Sequence, residues 1–240
     1  MANVYDHPQF FELYSQMPRS KEGLAAAGEW PTLRSMFPSF KDKRVLDLGC
    51  GYGWHCRYAV DQGAARVVGI DCSEKMLAVA NQDTKDSRIT YEQKPIEEID
   101  YAPNSFDIVI SSLAFHYVAS FDDIVKKIKQ CLVPGGSLVF SVENPIFTAS
   151  GTGTFHPCGD NDKAHWPVDR YFDESERWPN FLGVAVRKYH RTLSTYINTL
   201  LRHGFMLNEV VEPLPDQALL KQWPEEARRP MMLIISARLQ

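Results

Sequence analysis

The stretch R-V-L-D-L-G-C-G-Y-G-W-H-C-R-Y-A, from Arg44 to Ala59, decides the fold. Arg44 to Leu48 is a short apolar run that reads as a buried parallel strand. Gly49, Gly51 and Gly53 follow on alternate positions, and a helical stretch begins directly after them. A strand, a glycine turn and a helix in that order make a ligand cradle. The turn has no Cβ atoms to hold a ligand off, and the helix N-terminus offers unpaired N–H groups. The dinucleotide fingerprint G-x-G-x-x-G needs its third glycine where Trp54 stands, so that pattern fails. What stands instead is D-x-G-x-G-x-G, with Asp47 two residues before the first glycine. An acid in the cradle suits a ligand bearing an ammonium or hydroxyl groups and repels a pyrophosphate.

Outward from this stretch, strands and helices alternate. A helix from about Trp54 to Gln62 stops at Gly63, and a second strand, Arg66 to Ile70, ends in Asp71. Ser73 starts a helix with Met76, Leu77 and Ala80 on its apolar face. Ile89 to Gln93 and Phe106 to Ser111 read as the third and fourth strands. Ser120 caps a helix carrying Ile124, Val125, Ile128 and Leu132, closed by Pro134-Gly135-Gly136, and Ser137 to Val142 is the fifth strand. This order predicts an α/β fold, a parallel sheet with helices on both faces. Right-handed crossovers place the ligand along the edge where the strands end, beside Asp47, Asp71, Ser111 to His116, Glu143 and Asn144.

Two covers flank the core. Residues 1–40 are aromatic and broken by four prolines, and read as an N-terminal cap over the sheet's mouth. From 145 to 183 the period is lost while aromatic residues accumulate, which reads as a lid over the 41–144 core. Beyond it, residues 184–240 are assigned to the sheet: a strand from Val184 to Tyr189, a helix capped by Thr192 and ending at Gly204, and strands from Leu207 to Val211 and Met231 to Ala237. The last two are joined by a loop, which implies antiparallel pairing at one edge. The whole is expected to be one domain.

The 240 residues, 44% hydrophobic and 23% charged, suit a globular chain with one substantial α/β core. A net charge of −4 gives no general nucleic-acid footprint. No apolar run approaches the roughly 20 residues of a membrane span. The N-terminus shows no secretory pattern. Five cysteines without a C-x-x-C pair argue against a disulfide framework and for a cytoplasmic setting.

V-L-D-L-G-C-G-Y-G, V-V-G-I-D-C-S-E-K-M-L, F-D-I-V-I-S-S-L-A-F-H-Y and L-V-P-G-G-S-L-V-F-S-V resemble the successive motifs of class I S-adenosylmethionine-dependent methyltransferases. The likeness is greatest to the small-molecule, ubiquinone-biosynthesis-like group. It covers residues 44–143 and implies a Rossmann-like, seven-stranded, mostly parallel sheet with the last strand antiparallel. It also implies S-adenosyl-L-methionine as cofactor, S-adenosyl-L-homocysteine as product and a small-molecule methyl acceptor, with no nucleic acid and no membrane span. The acceptor atom and the oligomeric state stay open.

With that resemblance, Asp71 accepts the ribose hydroxyls; alternatively it caps the following helix. Gly49 and Gly51 admit the methionine half, and Asp47 orients its ammonium or nearby waters. Cys72 and Met76 offer apolar contact to the adenine, Pro95, Ile96 and Glu97 read its edge, and Ser111 opens the loop beneath the methionine. Tyr14 and Arg19 either reach the cofactor or belong to a plain cover. His116 is the catalytic candidate, as general base or acceptor contact; alternatively it caps the core. His190, Arg191 and Trp166 are placed toward the substrate, Arg191 as a clamp for an acidic group, with helix entry the other account of His190-Arg191. His156, Cys158 and His165 match no common metal site, so no metal is expected.

Two other functions remain beside the leading one: a non-catalytic S-adenosylmethionine-binding or regulatory protein, and a nicotinamide-dependent oxidoreductase, which Trp54 disfavours. Asn144 to Phe147, N-P-I-F, resembles the N-P-P-[FY] motif of amino-methylating enzymes but follows the fifth strand instead of the fourth.

Overall fold

The apolar run at Arg44–Leu48 forms β1, an interior strand of the sheet, and its burial on both faces explains why it carries no polar alternation. The structure is a computed structural model that describes residues 3–158 and 163–240. The other strands of the main sheet are β2 (Arg66–Asp71), β3 (Ile89–Gln93), β4 (Phe106–Ser112), β5 (Leu132–Glu143), β12 (Phe205–Val211) and β13 (Met232–Leu239). Between them lie β6 (His156–Cys158), β7 (Lys163–His165), β8 (Glu176–Arg177), β9 (Asn180–Phe181), β10 (Val184–Ala185) and β11 (Lys188–Tyr189). The seven main strands lie in the order β12-β13-β5-β4-β1-β2-β3. β1 to β5 run parallel, and β13 pairs antiparallel with both β5 and β12. The expected seven-stranded, mostly parallel sheet with an antiparallel last strand is the observed one.

The helices are α1 (Pro8–Ser15), α2 (Pro18–Glu22), α3 (Trp30–Met36), α4 (Trp54–Asp61), α5 (Glu74–Asp83), α6 (Phe121–Cys131), α7 (Pro145–Thr148), α8 (Leu193–Arg202) and α9 (Gln217–Gln222). Local chemistry starts them: Ser73, Ser120 and Thr192 each accept the backbone N–H three residues on, at the heads of α5, α6 and α8. In α6 the apolar Phe121, Ile124, Val125 and Ile128 recur at helical spacing and are buried. They pack with Phe115, Phe140, Tyr196 and Leu200 on one face of the sheet. The other face carries Cys56, Ala59 and Val60 of α4 and Leu77 of α5. Trp30, Leu33 and Met36 of α3 pack with Val139 and Ile234, so this part of the N-terminal segment covers a sheet face rather than the mouth.

Three expectations change here. Val184 to Tyr189 is not a strand of the main sheet. Leu182 and Gly183 both have positive φ, 53° and 80°, and turn the chain back on itself, so β9 pairs with β10 and β8 with β11 in one hairpin. The lid, too, has local structure among its described residues: α7, this hairpin, and a β6–β7 ribbon. Residues 159–162, which the lid expectation includes, lie outside the described set. β5 begins at Leu132, so Pro134-Gly135-Gly136 lies inside an extended strand rather than simply closing α6.

Candidate active site

The turn after β1 crosses to β2, where the N–H groups of Gly49 and Cys50 both donate to the Ile70 carbonyl at 2.9 Å. The three glycines there have different reasons. A Cβ on Gly49 would stand 2.4 Å from Ala114 Cβ, and one on Gly53 would stand 2.0 Å from the Tyr91 hydroxyl. Both are packing requirements at positive φ, 79° and 72°. A Cβ on Gly51 meets nothing within 4 Å. Of the two glycines expected to admit a ligand, only Gly51 faces open space.

Asp71 closes that space at the end of β2. Its Oδ2 accepts the Gly51 N–H at 2.9 Å and its Oδ1 accepts the Ser73 N–H at 2.9 Å. Each oxygen keeps a second lone pair, which is the acceptor set a vicinal diol needs. Burial raises the Asp71 pKa and these backbone donors oppose the rise. Asp47, one strand over, is 1% exposed and accepts a hydrogen bond from the Cys56 thiol at 3.2 Å. Desolvation, offset in part by that thiol, pushes its pKa up to about 7. A buried carboxylate in this state gains from a nearby cation, and the ammonium of an amino-acid-bearing nucleoside supplies one.

The N-terminal segment reaches the same place. Asp6 Oδ1 accepts from the Ser73 hydroxyl at 2.7 Å and the Lys75 N–H at 3.2 Å, and Asn3 donates to Cys72 Sγ at 3.1 Å. Arg19 donates to Glu29 Oε1 at 2.5 Å and to the Ser112 hydroxyl at 2.9 Å, at the end of β4. Tyr14 lies against Tyr5 and Tyr52, ring centroids 5.3 and 6.2 Å apart. The other Glu29 oxygen, Oε2, is buried with no partner. Cys72 and Glu97 are exposed, Met76 and Ile96 are buried, and Pro95 is half-buried at the same edge. Ser111 is 2% exposed and gives its hydroxyl to the Leu48 carbonyl at 2.8 Å, so it ties β4 to β1 instead of opening a ligand loop.

Four residues expected toward the acceptor, His116, Arg191, His190 and Trp166, have their side chains engaged within the protein. His116 is 2% exposed and its Nδ1 accepts the Glu143 N–H at 3.4 Å. Desolvation lowers its pKa to about 4, so the ring is neutral, carries its proton on Nε2 and is a poor general base. Arg191 has the surroundings of the helix-entry account rather than of a clamp for a substrate acid. Its guanidinium is buried and donates to the carbonyls of Phe115, Val118 and Ala119. His190 is 1% exposed, with Nδ1 2.7 Å from the Thr148 hydroxyl and Nε2 2.9 Å from the Tyr171 carbonyl, which makes it a structural pin. Trp166 stacks on Phe147 at 5.0 Å, donates to the Ile146 carbonyl and lies under Arg229. That environment anchors the lid rather than addressing a substrate.

Asn144 caps α7 through Ile146 N–H and gives its amide to Glu212, so N-P-I-F has a local structural use. His156 and His165 are register partners in the β6–β7 ribbon, while the Cys158 side chain lies outside the described set. Among the described residues no group of three His, Cys, Asp or Glu could hold a metal. No described helix is long and apolar enough to cross a membrane.

Four residues join the site that no motif marked as ligand contacts. The Tyr5 hydroxyl lies 2.9 Å from that of Tyr117, and Lys188 Nζ lies 2.5 Å from Glu143 Oε1 at the end of β5. Burial raises both phenol pKa values, so both hydroxyls stay protonated. Glu143 had one signal, its place at a strand end. Lys188 had none, because the hairpin that delivers it is a tertiary feature.

A cradle opening at Gly51 beside the carboxylates of Asp71 and Asp47 has the acceptor groups that an amino-acid-bearing nucleoside would need. A family profile for a methyltransferase domain matches residues 46–140. The solved structure of an S-adenosylmethionine-dependent methyltransferase from Mesorhizobium loti is 42% identical, with TM-score 0.83 over 90% of this chain and 100% of that one. A Listeria monocytogenes protein, a candidate enzyme of the same kind, is 53% identical, with TM-score 0.84 over 90% of this chain and 99% of that one. Among curated proteins, the ubiquinone biosynthesis O-methyltransferase of Idiomarina loihiensis is 37% identical over 105 residues, 42% of this chain and 43% of that one. The chain belongs to the S-adenosylmethionine-dependent methyltransferases, and S-adenosylmethionine is its cofactor.

Proposed function

We propose that the methyl acceptor is a small molecule, enclosed between the N-terminal cap and the hairpin. The observation that carries this reading is the roof over the mouth. Phe10 meets Phe181 edge-on with centroids 5.7 Å apart, and Tyr5 meets Tyr117 through both ring edge and hydroxyl. A strand of RNA or a protein segment needs an open groove, and this roof crosses it. The net charge of −4 points the same way.

The cofactor brings a methyl group already activated on a sulfonium. Asp71 holds a diol, Gly51 gives it room, Asp47 answers an ammonium, and Tyr14 with Arg19 close the methionine end. The remaining work is alignment and exclusion of water. Alignment is worth up to about 7–11 kcal/mol by effective-molarity estimates, and a drier site favours a reaction that neutralises charge. With His116 neutral and the tyrosines protonated, none of these three side chains supplies a strong base. An acceptor that is already nucleophilic suits such a site.

Methyl transfer from labelled S-adenosylmethionine to separated low-mass, RNA and protein fractions of a cell extract tests the proposal. Label confined to the low-mass fraction is expected; label on RNA or protein would overturn it.

A further inference from the structure

We propose that Lys188 anchors a carboxylate on the methyl acceptor, and that Glu143 occupies that place until the acceptor arrives. The inference rests on the small-molecule reading above and names the acceptor's chemistry. Lys188 and Glu143 line one cleft with Phe147, Thr148, Arg177 and Pro179, roofed by the hairpin. The Lys188 side chain is 8% exposed and that of Glu143 16%, so the pair is largely withdrawn from water while still reaching the cleft. The Lys188 ammonium also faces the rings of Tyr117 and Phe181, 5.7 and 5.5 Å from their centroids, and both rings belong to the mouth.

The charge count of this wall is unequal. Lys188 and Arg177 are direct partners across β11 and β8, and like charges opposite one another destabilise a strand pair. The Arg177 guanidinium is satisfied by neutral oxygens: the carbonyls of Ala149 and Asp173 at 3.0 and 2.9 Å, and the Ser175 hydroxyl at 2.8 Å. The closest carboxylate oxygen of Asp173 lies 4.0 Å away on a side chain 44% exposed, where water weakens it. Among the described residues that line the cleft, two cations, Lys188 and Arg177, thus stand with one carboxylate, Glu143, which is paired to Lys188. The rest of the lining is mostly apolar: Phe147, Pro179, Gly151 and Gly153, with Thr148 as the one hydroxyl. The ligand that completes this balance has an apolar body and one carboxylate. A buried ion pair is a poor source of stability, which leaves recognition as the better reason for placing this one at the mouth.

Calorimetry on the full chain, with S-adenosylhomocysteine present, provides the test. Benzoate, cinnamate and octanoate are each compared with their uncharged amides. A carboxylate is expected to bind at least about tenfold more tightly than its amide, the scale of a charge-assisted contact. Lys188→Gln should abolish that preference, whereas Glu143→Gln should strengthen it by removing the competing carboxylate. A purely structural ion pair predicts losses in both variants. Should Lys188→Gln fail to fold, the direction of the Glu143→Gln change decides. No preference for any carboxylate, or weaker binding in Glu143→Gln, overturns the proposal while leaving the methyltransferase reading intact. Failure of the wild-type protein to bind S-adenosylhomocysteine would instead strike at that reading itself.

Discussion

At the scale of single residues, two carboxylates on adjacent strands, Asp71 and Asp47, are the contacts proposed for the cofactor. Asp71 is anchored by the backbone donors of Gly51 and Ser73, and Asp47 accepts from the Cys56 thiol. The Asp47 pKa of about 7 stands above its unfolded value of 3.8. Between those values the folded state holds a proton that the unfolded chain has released, so stability falls as pH rises through this window and the full loss is present above it. The loss is on the order of a few kcal/mol. Asp47→Asn should therefore raise the melting temperature at about pH 8. The same change should weaken S-adenosylhomocysteine binding, since the ammonium loses its counter-charge. Thermal denaturation and calorimetry at one pH check both signs; a drop in both quantities would show that Asp47 is a structural acid. Composition and spacing placed Asp47 in the cradle, but its protonation depends on burial. The same limit applies to His116, whose proximity to the fourth strand's end was legible and whose desolvation was not.

At the scale of elements, the cradle was legible because β1, the turn and α4 are consecutive, so local sequence carries their geometry. The hairpin was not. Val184 to Tyr189 reads as an ordinary strand until Leu182-Gly183 turns it back on β8 and β9. Leucine gives no sequence signal for that turn and is poorly suited to it, since a left-handed non-glycine residue costs roughly 1–2 kcal/mol. Leu182→Asn, which suits the first position of a two-residue turn with positive φ at both central residues, should stabilise the hairpin by about 1 kcal/mol. Hydrogen exchange at the Val186 amide, which donates to the Pro179 carbonyl at 3.0 Å, reads the effect directly. Slower exchange there is expected, and faster exchange would mean that Leu182 packing outweighs the backbone strain. Lys188 rides on this hairpin, so its delivery to Glu143, 45 residues earlier in the chain, belongs to packing and leaves no sequence motif.

At the scale of the whole molecule, the sheet order follows from long apolar strands separated by helices whose starts are marked by Ser73, Ser120 and Thr192. That is why the architecture could be read before the structure. The mouth is different. Tyr5, Tyr117, Phe181 and Lys188 come from three distant parts of the chain and meet only once the cap and the hairpin dock on the finished sheet. On the proposed reading, the cofactor half of the site belongs to the core and the acceptor half to its covers. The central claim is that the Gly51–Asp71 cradle holds the nucleoside. Titration of S-adenosylhomocysteine into the wild-type protein and Asp71→Ala measures it directly. Loss of charge-assisted hydrogen bonds predicts an affinity about tenfold to a hundredfold weaker in the variant, with the variant still folded. Equal affinities in the two proteins would contradict the account.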